Sequence, residues 1–144
     1  MRLCAPEDLP QLMKLGVAYH AEAGDDRLPL AIEKAMKWIY YAITRSLAIC
    51  VEQDGVPVGA MILSEDPPWW SEANALWEAG FFVTPLSRGG TGAADLLIDT
   101  AKLIADDMGV PLFVTPMTEV DLERKDRWFR TKGFKRVGGF YRWG

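Results

Sequence analysis

Three glycines lie within four residues in the segment 88–93. An apolar run, 81–83, precedes the segment, and the residues that follow it have helical spacing. A turn of this kind can direct several backbone N–H groups at one anion, and the positive end of the helix dipole points the same way. The ligand indicated is a phosphate or a pyrophosphate. The competing interpretation is a glycine-rich turn that only reverses the chain, because short glycine motifs also occur by chance.

The elements that must position this turn follow from the apolar pattern. Helical spacing predicts helices over about 6–23, 30–43, 93–108 and 122–132. Apolar and β-branched runs predict strands over 2–4, 47–51, 56–63, 76–83 and 110–115, and a closing strand or hairpin over 134–143. Asp54-Gly55 predicts a hairpin turn between the second and third strands. The spacing in the second helix predicts one buried face, formed by Ile32, Met36, Ile39, Tyr40 and Ile43.

This order of elements predicts an α/β fold. A hairpin block followed by alternating helices and strands implies one domain over 1–144, with a central mixed sheet and helices on both faces. The glycine turn then lies at the carboxyl end of a central strand, where open α/β sheets bind their ligands.

Composition narrows the class of protein. The 144 residues are 49% hydrophobic and 25% charged, which is typical of a soluble globular domain. The net charge of −4 argues against general nucleic-acid binding, and no apolar run reaches membrane-spanning length. Cys4 and Cys50 are far apart and lack metal-ligand spacing, so we expect two buried thiols in a reducing compartment rather than a disulfide. We therefore expect a cytoplasmic protein without a metal, a membrane anchor or a nucleic-acid partner.

Three short motifs follow one another in the chain. Segment 5–10 reads Ala-Pro-Glu-Asp-Leu-Pro, 87–92 reads Ser-Arg-Gly-Gly-Thr-Gly, and 129–134 reads Phe-Arg-Thr-Lys-Gly-Phe. In this order and with these strands, the whole chain resembles the GNAT superfamily of acyl-CoA-dependent N-acetyltransferases. The pyrophosphate loop of that family has Gln or Arg, two variable residues, Gly, a variable residue, then Gly or Ala. Gly90 and Gly92 match this pattern, whereas Ser87 replaces the usual Gln or Arg. The chain looks most like small GNAT-like proteins encoded by tailed phages and prophages.

The resemblance implies acetyl-CoA as the co-substrate and assigns residues to it. The pyrophosphate would be held by the backbone N–H groups of Arg88, Gly89, Gly90, Thr91, Gly92 and Ala93. The strand 81–83 would pair with the pantetheine arm through a gap beside the strand 112–114. The backbone N–H of Phe82 or Val83 would polarise the thioester carbonyl.

The catalytic assignments are less complete. Glu78 lies on the strand before the turn and is the candidate general base, because an amine must lose a proton before it attacks. Its alternative is an outward-facing strand glutamate. The family's proton donor is a tyrosine, but the matching residue is Phe129, and Leu122 replaces the asparagine often found seven residues earlier. Tyr141, on the predicted last strand, is the alternative donor.

Three further features each have two interpretations. The single histidine, His20, could contact the substrate or act as a base, or it could lie on the helix surface near the C-terminal dipole. A group of tryptophans could line an acceptor pocket, or form a satellite core or a dimer contact; these are Trp69, Trp70 and Trp77. An acidic loop could attract a cationic amine or could simply be solvated; its acids are Glu22, Asp25 and Asp26.

The function that this sequence predicts is transfer of an acetyl group from acetyl-CoA to a primary amine of a small molecule or peptide, by direct attack. The alternative is a catalytically silent protein of the same fold that binds CoA or a protein partner. A flavodoxin-like phosphate binder is a third interpretation, which the hairpin before the turn fits poorly. Exposed tryptophans and the C-terminal strand are compatible with a homodimer.

Overall fold

The computed structural model describes residues 1–115, 121–139 and 141–143, which contain one five-stranded sheet and four α-helices. The strands are β1 (Arg2–Leu3), β2 (Ala48–Gln53), β3 (Val56–Asp66), β4 (Ala75–Val83) and β5 (Leu112–Phe113). The helices are α1 (Leu9–Ala23), α2 (Ile32–Thr44), α3 (Ala93–Met108) and α4 (Leu122–Thr131). Among the described residues, no helix is long and apolar enough to cross a membrane.

The sheet has the order β1-β2-β3-β4-β5. Its first four strands are antiparallel to their neighbours, and β5 runs parallel to β4, so the predicted mixed sheet is confirmed. Asp54 (φ 52°) and Gly55 (φ 77°) both have positive φ, which is the backbone of a two-residue hairpin turn. Gly109 (φ 67°) ends α3 in the left-handed conformation.

The core lies on both sides of the sheet. Four consecutive residues of β2, from Ala48 to Val51, are buried, and successive residues of a strand point to opposite faces. The helices α1 and α2 pack against each other and on the sheet, and α3 packs on β2, β3, β4 and β5. The predicted layers of helices on both faces are therefore confirmed.

The strand β4 loses its parallel neighbour halfway along its length. It pairs with β5 only at Leu76 and Trp77, although it continues to Val83. A register shift leaves Ala79 without a partner in β3, which is the arrangement of a β-bulge. Among the described residues, the β5 side of β4 is thus open from Glu78 onward, and a gap separates the two strands.

Two predictions about the elements are wrong. No strand or hairpin forms over 134–139 or 141–143, because β5 is only two residues long and Gly138-Gly139 has no side chains to pack. In α2, the residues Ile39, Ala42 and Ile43 are buried, whereas the predicted face is partly exposed. Its exposed members are Ile32, Met36 and Tyr40. The predicted strand over 110–115 is confirmed only as β5.

Candidate functional site

The glycine turn joins β4 to α3. The φ values of Gly89 (80°) and Gly92 (69°) lie in the left-handed region, which glycine adopts without steric cost. The Thr91 hydroxyl donates a hydrogen bond to the Ser87 carbonyl and accepts one from the Ala93 N–H at 3.3 Å. These two bonds hold the turn in shape, and they occupy the Thr91 side chain.

Several backbone donors of this turn have no partner within the part of the chain that the structure describes. The N–H groups of Arg88, Gly92 and Ala93 are used inside the turn. The N–H groups that find no acceptor among the described residues are those of Gly89, Gly90 and Thr91. A side chain at Gly90 would meet no protein atom within 4 Å of its Cβ, so the space in front of the turn is open. Free N–H groups beside open space at a helix N-terminus suit a phosphate.

The Arg88 side chain extends towards α1 and the end of β4. Its terminal nitrogens donate to both carboxylate oxygens of Glu22 at 2.8 and 2.6 Å, and its Nε donates to the Val83 carbonyl at 2.8 Å. The guanidinium also lies over the Phe82 ring, 5.1 Å from its centroid. The residue therefore ties the end of β4 to α1, and its charge is neutralised by Glu22.

Glu78 lies at the point where β4 leaves β5. One of its carboxylate oxygens accepts a hydrogen bond from the Thr115 N–H at 3.3 Å, across the gap. Burial raises the pKa of this carboxyl group to about 7, and the Thr115 hydrogen bond opposes part of the rise. A carboxyl group that titrates near neutrality can both accept and release a proton under ordinary conditions.

The open side of β4 presents one of the two predicted N–H groups. Thr84 donates its N–H to the Val58 carbonyl of β3 at 2.9 Å. Because the backbone N–H groups of a strand alternate between its two sides, the Phe82 N–H also points to β3. The Val83 N–H points to the open side, as does its carbonyl, which Arg88 reaches. Of the pair, Val83 has the geometry for contact with a ligand in the gap.

Phe129, Leu122 and Tyr141 do not provide a proton donor that is held in place by other residues. Phe129 packs edge-on against Trp128 and Phe134, with ring centroids 4.9 and 5.7 Å apart. Leu122 is exposed at the start of α4. Tyr141 lies outside any strand, and it is 93% exposed, without a hydrogen bond among the described residues. Tyr141, which the sequence suggested as the alternative proton donor, is thus not held in a fixed position.

The polar residues at the end of α1 and in the following loop make contacts within the protein. The His20 Nε2 donates to the Leu28 carbonyl at 2.9 Å, which fixes the loop between α1 and α2. The Arg27 guanidinium donates hydrogen bonds to both oxygens of the Asp25 carboxylate, at 2.9 and 2.6 Å. The Arg142 guanidinium donates to the same carboxylate at 3.2 Å. These contacts favour the structural interpretation of His20, and they show that Asp25 is already paired.

The tryptophans do not form one cluster. Trp77 stacks on Phe113 with centroids 4.6 Å apart, and its Nε1 donates to the Asp66 carbonyl at 2.9 Å. It therefore fastens β4 to β5 just before the strands separate. Trp69 and Trp70 contact each other edge-on at 5.6 Å and are 93% and 67% exposed.

Two arrangements could not be foreseen from the sequence. Tyr19 of α1 meets the Phe82 ring edge-on at 6.4 Å, and burial together with the nearby Glu78 carboxylate raises the pKa of its phenol. Nothing in the sequence singles out Tyr19, because its position near Glu78 depends on how α1 packs on β4.

The second arrangement is a buried cluster beside β1. Ligand atoms of Cys4, Cys50 and Asp8 lie within 4.8 Å of one another. Both cysteines are buried and free, as predicted. Arg2 holds both oxygens of the Asp8 carboxylate, at 2.6 and 2.8 Å, and lowers its pKa. The neighbouring Cys50 sulfur and burial raise the pKa of the Cys4 thiol, which therefore stays protonated. Because Arg2 already holds both oxygens of the Asp8 carboxylate, this member of the cluster has its counter-ion within the protein.

Comparison with known proteins identifies the fold. No family model and no curated protein matches the chain. Among solved structures, a predicted acetyltransferase from Clostridium acetobutylicum with acetyl-CoA superposes with a TM-score of 0.74 at 13% identity, over 99% of this chain and 94% of that one. AAC(6')-Iy in complex with the bisubstrate analog CoA-S-monomethyl-acetylneamine has a TM-score of 0.71 at 18% identity, over 99% and 96%. Ribosomal-protein-alanine N-acetyltransferase from Brucella melitensis biovar Abortus 2308 has a TM-score of 0.66 at 18% identity, over 96% and 94%.

These superpositions confirm the predicted GNAT fold. At such low identities they do not extend to substrate or mechanism. The finer resemblance to phage-encoded proteins stays a prediction.

Proposed function

We propose that this protein is an acyl-CoA-dependent N-acyltransferase, which moves an acetyl group from acetyl-CoA to a primary amine by direct attack. The observation that carries the proposal is the position of Glu78. Its carboxyl group, with a pKa raised to about 7, lies in the gap beside β4, the strand that leads into the glycine turn. One strand thus connects a group able to deprotonate an amine with a turn able to hold a pyrophosphate.

The binding part of the site consists of backbone groups. The free N–H groups of Gly89, Gly90 and Thr91 would hold the pyrophosphate, with the N-terminus of α3 behind them. The pantetheine arm would lie along the open side of β4. There the Val83 N–H would donate to the thioester carbonyl oxygen, where negative charge develops during attack.

Glu78 would handle the protons of the reaction. Its carboxylate accepts a proton from the amine, whose lone pair then attacks the thioester carbonyl carbon. The C–S bond breaks as the C–N bond forms, and the sulfur leaves as a thiolate. A carboxylic acid with a pKa of about 7 is a stronger acid than a thiol with a pKa of about 8.5, so Glu78 can return its proton to that sulfur. Under this scheme Phe129 is tolerated, because no tyrosine is needed as the proton donor.

The proposed acceptor is a primary amine. AAC(6')-Iy binds an aminoglycoside-derived analog, and the Brucella melitensis enzyme is named for a ribosomal protein. In this protein, Glu22 and Asp25 are already paired with Arg88 and Arg27. These pairs reduce the negative potential that a polycationic acceptor would need, so a small molecule or peptide with a single amine fits better.

A second candidate function is a catalytically silent protein that binds CoA or a partner protein. It is favoured by Phe129, which is packed among aromatic rings, and by the exposure of Tyr141. Phe129 has no proton to give, and Tyr141 is not held in place by a contact, so neither provides a dedicated proton donor.

One experiment separates the two candidates. Acetyl-CoA binding is measured by calorimetry, and release of free thiol is then followed across a panel of amines and peptides. We expect binding and release in the wild type, binding without release in Glu78→Gln, and wild-type behaviour in the control Glu33→Gln on the exposed surface of α2. Binding without release from every acceptor would favour the silent protein. No binding would refute the acyltransferase and a silent protein that binds CoA.

A further inference from the structure

The contacts between α4 and α3 advance in the same direction along both helices, from Trp128 with Asp95 to Lys132 with Asp99 and Lys102. Near the end of α4, Lys132 contacts Asp99 at 3.1 Å and Asp95 at 2.7 Å. One turn earlier, the Trp128 Nε1 donates to Asp95, in the first turn of α3, at 3.2 Å. The residues of α4 that precede Trp128 must therefore lie beyond the first turn of α3, on the side of the glycine turn.

Lys125 occupies this overhanging part of α4. It is half-buried, and its electrostatic neighbours are Glu22, Arg88 and Asp121, which places it beside the Arg88–Glu22 pair at the end of β4. Its backbone N–H donates to the Asp121 carbonyl at 3.0 Å, but within 1–115, 121–139 and 141–143 its ammonium group makes no hydrogen bond and no ion pair. Both oxygens of Glu22 are occupied by Arg88, so this nearby carboxylate is already committed.

A half-buried ammonium group without a close counter-ion is unfavourable. Burial lowers the pKa of Lys125 because the charged form loses part of its hydration. Such a charge is stabilised when an anion supplies the missing partner. The free N–H groups of Gly89, Gly90 and Thr91 lie in the turn that α4 overhangs and also lack acceptors among the described residues.

We propose that Lys125 is the side-chain cation of the anion site at the glycine turn, where its ammonium group binds a phosphate that the free N–H groups hold from the other side. The ligand class is a pyrophosphate or a phosphate ester, and the identification of this ligand as CoA rests on the proposed function. Lysine serves here as a point charge, which tolerates a phosphate in several orientations. Arg88 is the only cation in the sequence segment 88–93, and it forms an ion pair with Glu22 instead.

The test uses calorimetry with three probes: CoA, inorganic pyrophosphate, and acetylpantetheine, which lacks phosphate. Lys125→Met is compared with Lys125→Arg and with the control Lys37→Met, which removes the same charge from the exposed surface of α2. We expect Lys125→Met to weaken binding of CoA and of pyrophosphate about 5- to 10-fold and to leave acetylpantetheine unchanged. The salt dependence of CoA binding should also become shallower, whereas Lys125→Arg should keep most of the affinity.

The outcomes distinguish this inference from the proposed function. If Lys125→Met binds CoA and pyrophosphate as tightly as Lys37→Met does, Lys125 is not part of the site. If the wild type binds pyrophosphate through Lys125 but does not bind CoA, the anion site stands and the acyltransferase proposal fails. If the wild type binds neither CoA nor pyrophosphate, the anion site and the acyltransferase proposal are both refuted.

Discussion

Replacement of Glu78 by glutamine should change how the stability of the protein depends on pH, whether or not the protein is an enzyme. Because burial raises the pKa of this carboxyl group from 4.5 to about 7, the folded state binds its proton more tightly than the unfolded chain does. Between these two values the folded protein keeps a proton that the unfolded chain has lost. The free energy of unfolding that Glu78 contributes is therefore present below pH 4.5 and is lost as the pH rises to 7.

The size of this effect follows from the shift. A difference of about 2.5 pKa units corresponds to about 3.4 kcal/mol, because one unit is about 1.36 kcal/mol. This figure is an upper bound, because the Glu78 side chain is only half-buried and water screens part of the cost of burying its charge. The free energy of unfolding of Glu78→Gln minus that of the wild type should therefore increase by about 1–2 kcal/mol between pH 4.5 and pH 8.

The assay is urea unfolding at half-unit pH intervals over that range, with m-values checked for constancy. Glu33→Gln on the exposed surface of α2 is the matched control, and its curve should stay parallel to the wild type. If the curve of Glu78→Gln also stays parallel to the wild type, the carboxyl group is not desolvated, and the reasoning about its pKa is refuted.

Three further predictions concern stability and binding. Gly24→Ala should destabilise the protein by about 2 kcal/mol in urea unfolding, because its Cβ would stand 2.3 Å from the His20 carbonyl oxygen; an unchanged midpoint would contradict this. Arg2→Met should cost about 2–3 kcal/mol at pH 7, because it leaves the buried Asp8 carboxylate without its bidentate partner. The deficit should shrink on acidification as that carboxylate protonates, and a pH-independent deficit would contradict the account. Gly90→Val should leave the unfolding midpoint unchanged, since its Cβ meets no protein atom, yet weaken CoA binding about 10-fold; equal binding would show that the open space is not used.

Local signals accounted for much of the fold. The bounds of α3 were predicted as Ala93–Met108 and confirmed, because a regular apolar stripe ends at a glycine that can adopt positive φ. The hairpin turn at Asp54-Gly55 was predicted for the same kind of reason. The C-terminal strand was wrong, because a strand needs a partner, and the shortness of β5 could not be read from local pattern. The exposed side of α2 was misjudged because an apolar stripe does not reveal how wide a face the neighbouring elements cover.

The candidate site divides in the same way. The glycine turn and the place of Glu78 on β4 are local features, and the sequence identified both. The separation of β4 from β5 depends on long-range pairing, and with it the burial that raises the pKa of Glu78. Lys125 went unnoticed because an isolated lysine in a charged helix has no signal of its own. Its proposed role depends on the contacts between α4 and α3 and on the ion pair between Arg88 and Glu22.

The central claim is that Glu78 deprotonates an amine beside a CoA thioester, and the pH dependence of thiol release tests it most directly. With an amine that the wild type accepts, kcat/KM should rise through an inflection near pH 7, and the amine's own ionisation should add a second inflection at higher pH. In Glu78→Gln the inflection near pH 7 should disappear with most of the activity, while the Kd for acetyl-CoA stays unchanged. Thiol release that persists in Glu78→Gln with the wild-type pH profile would contradict the account.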